Sequence, residues 1–184
     1  KIGIPRRGYN GFFENLLDGI EVRTGYDIRQ HMEELKDARI VLCTCPIDEF
    51  FGYCYGRLEY RSLTFAYEII GKEDTQGCPV VNYCDHSVPY TRRIEHNLFT
   101  DIVHERLVVS YEYPKKYEGE AEPYYPILTE RNVRMYQKYV QLCSNMYGGR
   151  VVFSGRLGGY KYISMDEAID MALRLADKFD RKCG

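Results

Sequence analysis

The stretch "RVVFSGRLGGYKYISMDEAIDMAL" at residues 150–173 decides the fold class of this chain. An apolar run typical of a buried strand leads into a glycine-rich turn, and a helix follows. Ser164 and Glu167 have the spacing of a capping box. The helix start offers partial positive charge and spare N–H groups, and Arg156 lies just upstream. The segment predicts an α/β unit whose turn binds an anion, with an ordinary capped surface helix as the alternative.

A second α/β segment opens the chain. Its patterns predict a helix over 9–18 with Gly19 as C-cap, a strand over 20–25, a short helix over 29–37 and a buried strand over 39–44. A buried strand near each end indicates one layer that the chain leaves and re-enters. Neither segment carries G-x-G-x-x-G, so the usual first unit of a dinucleotide-binding fold is missing.

The middle of the chain is rich in predicted strands. Alternating apolar residues at 56–70, 78–84 and 104–114 predict an antiparallel sheet with one face toward solvent or ligand. After a charged loop, Thr129 is predicted to cap a helix that ends at the pair Gly148–Gly149. The apolar face of that helix is predicted to carry Val133, Tyr136 and Val140.

Composition excludes several classes of protein. The net charge of −2 over 184 residues gives no reason to expect a nucleic-acid or membrane-surface protein. No apolar run approaches the roughly 20 residues needed to span a bilayer. Seven cysteines without a C-x-x-C pair favour reduced thiols in a cytoplasmic protein, and Cys43-x-Cys45 alone is weak evidence for a metal. We therefore predict no metal site.

Four residues of the β-rich part are candidates for a ligand site. Arg61 and Arg92 are flanked by tyrosines, and a guanidinium fork matches the paired oxygens of a diphosphate. The alternative is a surface ion pair with one of the 27 acidic residues. Glu112 and Tyr125 each lie near a proline, where edge strands stop, so they either point into a cleft or simply end a strand.

Six phrases in order then carry a resemblance along nearly the whole chain. They are "GIPRRGY", "CPIDEFFGYCYGRLEYRSL", "VNYCDHSVPYTRRIEH", "YEYP", "EPYYPI" and "SGRLGGYKYISMDEAI". Together they resemble the carboxy-terminal half of UDP-galactopyranose mutases. The resemblance implies a mixed α/β and α+β fold, with part of a Rossmann-like FAD domain at 1–54, an antiparallel substrate sheet at 55–128, and a return to the FAD domain at 129–184.

The resemblance also assigns roles to residues of this chain. It implies catalytic roles for Arg61, Arg92 and Glu112, and substrate contacts from Asn82, Arg92, Tyr125 and Tyr162. The implied flavin contacts are Asp27, Arg156 and the helix start Met165, Asp166, Glu167, Ala168 and Ile169.

The activity implied is an isomerisation in galactofuranose and cell-surface polysaccharide biosynthesis. Reduced FAD acts through a covalent bond between its N5 and the sugar, and UDP-galactopyranose and UDP-galactofuranose interconvert without net redox change. The glycine-rich amino-terminal half is expected as a partner segment, and without it we expect poor FAD binding and no activity. The sequence leaves open whether the protein forms a homodimer.

Three departures from the family pattern keep an alternative open. Ile163 and Ser164 stand where the family often has tyrosine and aspartate, so a negative charge is lost while the helix cap is kept. Cys45 replaces a glycine, and Arg7 replaces the first glycine of a pair. The alternatives are a diverged relative that binds a nucleotide sugar without isomerising it, and a purely structural β-rich interaction domain.

Overall fold

A computed structural model describes residues 4–100, 105–119 and 121–183. In these residues the helices are Gly8–Leu16 (α1), Ile47–Phe50 (α2), Glu130–Tyr147 (α3), Gly155–Gly158 (α4) and Met165–Cys183 (α5). The strands are Val41–Cys43 (β1), Tyr60–Gly71 (β2), Val80–Asn82 (β3), Arg92–Glu95 (β4), Arg106–Lys116 (β5), Tyr125–Pro126 (β6) and Val151–Phe153 (β7). The mixed α/β class predicted from the sequence is confirmed.

The chain forms two compact units. The first consists of Lys1–Tyr26 and Leu63–Lys115, and the second consists of Asp27–Ser62 and Lys116–Gly184. Strands β2 and β5 each run from one unit into the other. The three segments predicted from the family resemblance divide the chain at other positions and stay a prediction.

A parallel pair of strands organises the second unit. Val41 pairs with Val151 and Cys43 with Phe153, so the two apolar stretches near the ends of the chain share one layer, as predicted. The N–H of Val41 donates to the carbonyl of Arg150, and the carbonyl of Cys43 accepts from Ser154. The core on this pair contains Leu35, Cys43, Phe50, Cys143 and Val151.

Helix α3 begins and ends where its sequence predicts. Thr129 accepts a hydrogen bond from the Asn132 N–H at 3.2 Å, and Gly148 adopts the left-handed conformation at φ 58°. Glycine tolerates that conformation because it has no Cβ.

The apolar face predicted for α3 is wrong apart from Tyr136, which is half-buried. Val133 and Val140 are exposed, whereas Asn132 and Tyr139 are fully buried. The reason is that the Asn132 amide nitrogen and the Tyr139 hydroxyl both find acceptors inside, although the buried Asn132 Oδ1 has no partner among the described residues. Asn132 Nδ2 donates to Glu59 and to the Ile127 carbonyl, and the Tyr139 hydroxyl donates to the Gly56 carbonyl.

The first unit contains the greater part of the antiparallel sheet, with the strands in the order β3-β4-β5-β2. Its core is a small cluster of Ile70, Leu107 and Val109, on which Tyr111 packs. The predicted strands at 56–70, 78–84 and 104–114 are each confirmed in part, and His104 lies outside the described residues. In the second unit, the start of β2 pairs antiparallel with β6.

Three predictions for the first 45 residues need correction. Residues 20–25 form no strand, because Ile20 and Val22 are exposed and no described strand pairs with them. Residues 29–37 form two short 3₁₀ turns instead of one helix, since the backbone of His31 at φ −134° interrupts them. The C-cap of helix α1 is Leu17 rather than Gly19, and the helix buries none of its residues.

Candidate functional site

Three predicted site residues lie side by side on strands β3, β4 and β5. Asn82 is directly opposite Arg92, and Arg92 is directly opposite Glu112. The guanidinium of Arg92 donates through Nε to Asn82 Oδ1 at 2.9 Å, and its Nη1 lies 3.2 Å from Glu112 Oε2. We name these three residues the Arg92 row. The sheet register thus joins residues that are 30 positions apart in the sequence.

The charges of the Arg92 row are only partly shielded from solvent. The Glu112 side chain is 10% exposed and that of Arg92 is 37% exposed. The buried carboxylate is therefore neutralised by a guanidinium that still reaches solvent. Arg92 does form an ion pair, as the alternative predicts, but the partner is Glu112, which is itself a predicted site residue. Two neighbours on adjacent strands thus hold the guanidinium in place, and its other side reaches solvent.

A second network lies on the opposite face of β4, where side chains alternate. Glu95 is completely buried and accepts hydrogen bonds from Thr75, from the Gln76 N–H and from Arg93. This network fixes the strand that carries Arg92. This network was not predicted, and its only signal in the sequence is the placement of Arg93 and Glu95 on either side of Ile94.

In the second unit, Arg156 lies against two tyrosines. Its guanidinium carbon is 5.0 Å from the ring centre of Tyr125 and 6.0 Å from that of Tyr162. The two rings stack on each other with centres 5.3 Å apart. We name these three residues the Arg156 cluster. Its members come from α4, from β6 and from the segment before α5.

The guanidinium of Arg156 is held in place by the backbone. Nε and Nη2 donate to the Ile163 carbonyl at 2.9 and 2.6 Å, while Nη1 has no hydrogen-bond partner among the described residues. The turn that carries Arg156 begins at Gly155, whose φ of 77° favours glycine. One N–H pair of a fixed cation is thus left for a ligand.

Arg61 is brought to the same strand pair as Tyr125. The two residues are directly opposite each other on β2 and β6. Arg61 is exposed, and it makes no ion pair with any residue in the described ranges. The ion-pair alternative raised for Arg61 therefore does not apply within the described part of the chain.

The start of α5 is capped as predicted. Glu167 accepts from the N–H of Ser164 at 2.7 Å and from its hydroxyl at 2.8 Å. These hydrogen bonds lower the pKa of the Glu167 carboxyl. The remaining residues implied as flavin contacts, Met165, Asp166, Ala168 and Ile169, form the exposed or half-exposed first turns of this helix.

Asp27 is not joined to these groups by any described hydrogen bond. Its carboxylate accepts from the N–H and the guanidinium of Arg29, which also pairs with Glu49. The hydrogen bonds from Arg29 lower the pKa of Asp27 to about 2. The carboxylate of Asp27, the predicted flavin contact, is thus already paired with the guanidinium of Arg29.

This pairing predicts the pH dependence of Asp27. Its lowered pKa contributes stability above the ordinary value of 3.8, and that contribution is lost as pH falls toward about 2. We expect Arg29→Gln to raise the Asp27 pKa toward 3.8, as measured by a carboxyl NMR titration. Asp85, whose pKa is lowered by Ser87, is the control and should not move. An unchanged Asp27 midpoint would contradict the assignment.

Gly158 sets how closely α4 approaches β1. A Cβ at this position would lie 2.7 Å from the Cys43 carbonyl oxygen and 3.2 Å from both Thr44 Cα and the Cys45 carbonyl oxygen. These are backbone atoms, which cannot give way as a flexible side chain does. The close approach places the turn carrying Arg156 directly on the end of β1.

We expect Gly158→Ala to lower the free energy of unfolding by about 1–3 kcal/mol, since overpacking forces backbone shifts. The measurement is urea denaturation of the full-length protein. Gly11→Ala is the matched control, because there the new Cβ meets only the Arg7 side chain. That substitution should be neutral or stabilising by up to about 1 kcal/mol. Equal stability of the two variants would refute the packing role of Gly158.

No group of three or more His, Cys, Asp or Glu in the described ranges is arranged to hold a metal ion. None of the helices in those ranges is both long and apolar enough to cross a membrane. In the first unit the Arg92 row places an arginine beside an amide, and in the second unit the Arg156 cluster places an arginine beside two tyrosines. Each group has the chemistry that suits anionic oxygens.

Comparison with known proteins gives the family. Residues 2–162 match the family of UDP-galactopyranose mutases. A probable UDP-galactopyranose mutase of Klebsiella pneumoniae is 37% identical, with 96% of this chain and 46% of the relative covered. A dTDP-fucopyranose mutase of Escherichia coli is 36% identical, with 96% and 48% covered. A UDP-galactopyranose mutase of Mycoplasma pneumoniae is 29% identical, with 96% and 47% covered.

This chain belongs to the UDP-galactopyranose mutase family. It spans about half the length of the curated relatives that it matches. The resemblance predicted from the six phrases is confirmed, and membership of this family supports the prediction that the chain is part of an isomerase.

Proposed function

We propose that the protein containing this chain interconverts UDP-galactopyranose and UDP-galactofuranose. The observation that carries this proposal is the family match over residues 2–162, which includes the Arg92 row and the Arg156 cluster. The reaction cleaves and re-forms the bond between an anomeric carbon and a diphosphate. Its main demand on the protein is to hold the diphosphate while charge develops on it.

The arginines fit this demand. Arg92 presents a guanidinium that Asn82 and Glu112 already orient, so little reorganisation is needed when charge develops on the leaving diphosphate. The charge of Arg92 would also keep the cleaved nucleotide in position for its return to the sugar. In the second unit, Arg61 is an exposed cation on β2. Glu112 acts on the substrate through Arg92, because its carboxylate is bound to that guanidinium.

The residues of the second unit fit a flavin. The parallel pair β1–β7 ends in two turns that meet closely at Gly158, and α5 begins nearby in sequence with an N-terminus that favours negative charge. Arg156 has one N–H pair left for the cofactor, and Met165 to Ile169 would line it. When bound in its reduced form, FAD would supply the nucleophile for the anomeric carbon.

A Rossmann-like FAD domain is the architecture we propose for these segments. Parallel sheets are usually covered on both faces and have more than two strands. Leu42 on β1 is 45% exposed, which is unusual for a strand of such a sheet. We propose that further strands and the phosphate-binding loop come from the part of the relatives' length that this chain does not span.

A dTDP-linked sugar is the second candidate substrate. The dTDP-fucopyranose mutase is 36% identical to this chain, practically the same as the 37% of the first relative. Both nucleotide sugars contain the diphosphate on which the Arg92 row would act. The choice between them therefore rests on groups that recognise the base and the sugar.

Substrate preference tests the proposal. The full-length protein, with dithionite-reduced FAD, is supplied separately with UDP-galactofuranose and dTDP-fucofuranose, and the products are separated by chromatography. We expect UDP-galactopyranose to form faster than dTDP-fucopyranose. The reverse ratio would favour the second candidate, and no product from either would favour a relative that binds without isomerising.

A protein consisting of residues 1–184 alone is expected to show no turnover. The physical reason is that the relatives are about twice as long and that the parallel sheet of this chain has only two described strands. The measurement compares this polypeptide with the full-length protein at equal concentration and with added FAD. Turnover comparable to that of the full-length protein would contradict the proposed split domain.

A further inference from the structure

Two cysteines lie at the end of β1, on the same side of the chain. Cys43 is the last residue of the strand, and Cys45 follows at a bend just before α2. Side chains two residues apart in an extended segment face the same way. Both thiols pack in one core cluster with Cys143, with Cys43 buried and Cys45 half-buried.

The two thiols are chemically unequal. Interaction with the Cys45 side chain, together with burial, raises the pKa of Cys43. Interaction with the Cys43 side chain lowers the pKa of Cys45. Cys45 is therefore the thiol that ionises more readily, and it is half-buried whereas Cys43 is buried. An accessible thiolate next to a second, buried thiol is the usual arrangement of a redox-sensitive pair.

We propose that Cys43 and Cys45 form a redox-modifiable site that a low-molecular-weight disulfide oxidises to an intrachain disulfide. The Cys45 thiolate attacks one sulfur of the reagent, forms a mixed disulfide and expels one thiolate. Cys43 then loses its proton, attacks the Cys45 sulfur and expels the second thiolate. Two protein thiols and one reagent disulfide thus give one protein disulfide and two reagent thiols.

The geometry of the chain permits this bond at a cost. Two residues of straight strand separate the Cα atoms by about 6.6 Å. Bridged cysteines have Cα separations of roughly 4.4–6.8 Å, so a straight segment is at the upper limit. Because the loop is short, the bond should be easily reduced.

Formation of the disulfide would change the backbone contacts on which α4 rests. The backbone of Cys43, Thr44 and Cys45 is in contact with Gly158, whose N–H donates to the Thr44 carbonyl at 3.2 Å. The Ser154 N–H donates to the Cys43 carbonyl at 2.9 Å. A tighter turn at 43–45 would shift these acceptors, so oxidation is transmitted to the turn that carries Arg156.

The test uses the full-length protein with Cys54, Cys78, Cys84 and Cys183 replaced by serine to remove competing thiols. It is titrated with oxidised and reduced glutathione, alkylated, and analysed by peptide mass spectrometry. We expect a Cys43–Cys45 bridge that dithiothreitol reverses, and at least a tenfold loss of hydrogen-exchange protection at Gly158. No bridge under full oxidation, or a Cys43–Cys143 bridge instead, would overturn the proposal.

Single variants assign the two roles. Cys45→Ser, at a half-buried position, should abolish both the bridge and the glutathione adduct at this site. Cys43→Ser should trap a stable adduct on Cys45, since the resolving thiol is absent. An adduct that forms on Cys43 when Cys45 is serine would also overturn the assignment. If Cys43→Ser fails to fold, the Cys45→Ser result alone decides.

Discussion

Arg92→Ala is expected to lower kcat of the full-length protein by about 10²–10³, because removal of one oriented donor to a developing charge typically has this effect. The guanidinium of Arg92 is oriented by Asn82 at 2.9 Å and by Glu112 at 3.2 Å. The measurement is turnover of UDP-galactofuranose at saturating substrate. Arg92→Lys should recover only part of the rate, since an ammonium cannot match two oxygens as a fork does.

Stability must be separated from activity in this test. Arg92→Ala leaves the buried Glu112 carboxylate unpaired, which costs about 1–3 kcal/mol. The double variant Arg92→Ala, Glu112→Gln removes that charge, so it should regain stability without regaining turnover. Arg134→Ala, which removes an exposed ion pair on α3, is the control and should change neither quantity noticeably. Recovery of turnover in the double variant would refute the role of Arg92.

Glu95→Ala is expected to reduce the free energy of unfolding by about 3–5 kcal/mol, since it breaks a buried ion pair and leaves the other charge unpaired. Glu95 is 0% exposed and the Arg93 side chain is 11% exposed. Thr75 and the Gln76 N–H lose their acceptor as well. The measurement is the urea midpoint of the full-length protein, with the slope of the transition checked for constancy.

Two comparisons test whether the ion pair is the cause. Glu68→Ala removes an exposed carboxylate that accepts from the Tyr111 hydroxyl, so it should cost less than about 1 kcal/mol. The double variant Arg93→Met, Glu95→Leu replaces both charges by apolar groups and should recover much of the lost stability. A loss for Glu95→Ala no larger than that for Glu68→Ala would contradict this assignment.

The sequence predicted the elements whose signals are local. Thr129, Gly148 and Ser164 have capping geometry that depends on neighbours within four residues, and all three take the predicted positions. The apolar stretches at β1 and β7 were also predicted correctly, because runs of three or four consecutive apolar residues are typical of a buried strand.

Other features depended on partners distant in the sequence. The buried face of α3 could not be predicted from polarity, because Asn132 and Tyr139 find hydrogen-bond partners at Glu59 and Gly56. Residues 20–25 alternate like a strand, but alternation alone provides no pairing partner. Glu95 is charged, as surface residues usually are, and only the alternation of side chains along β4 indicates that it faces the interior.

The candidate site was predicted mainly from the resemblance and not from the physical pattern. The spacing of Asn82, Arg92 and Glu112 in the sequence does not reveal that they are in register on three strands. Tyr125 and Tyr162 likewise come together only through the fold. The roles of all these residues in substrate and flavin binding stay predictions.

The conversion of UDP-galactofuranose by the full-length protein with reduced FAD, under anaerobic conditions, tests the proposed isomerisation most directly. We expect UDP-galactopyranose as the product, with the flavin still reduced at the end and turnover lowered by about 10²–10³ in Arg92→Ala. Unchanged substrate, or release of free galactose and UDP, would contradict it.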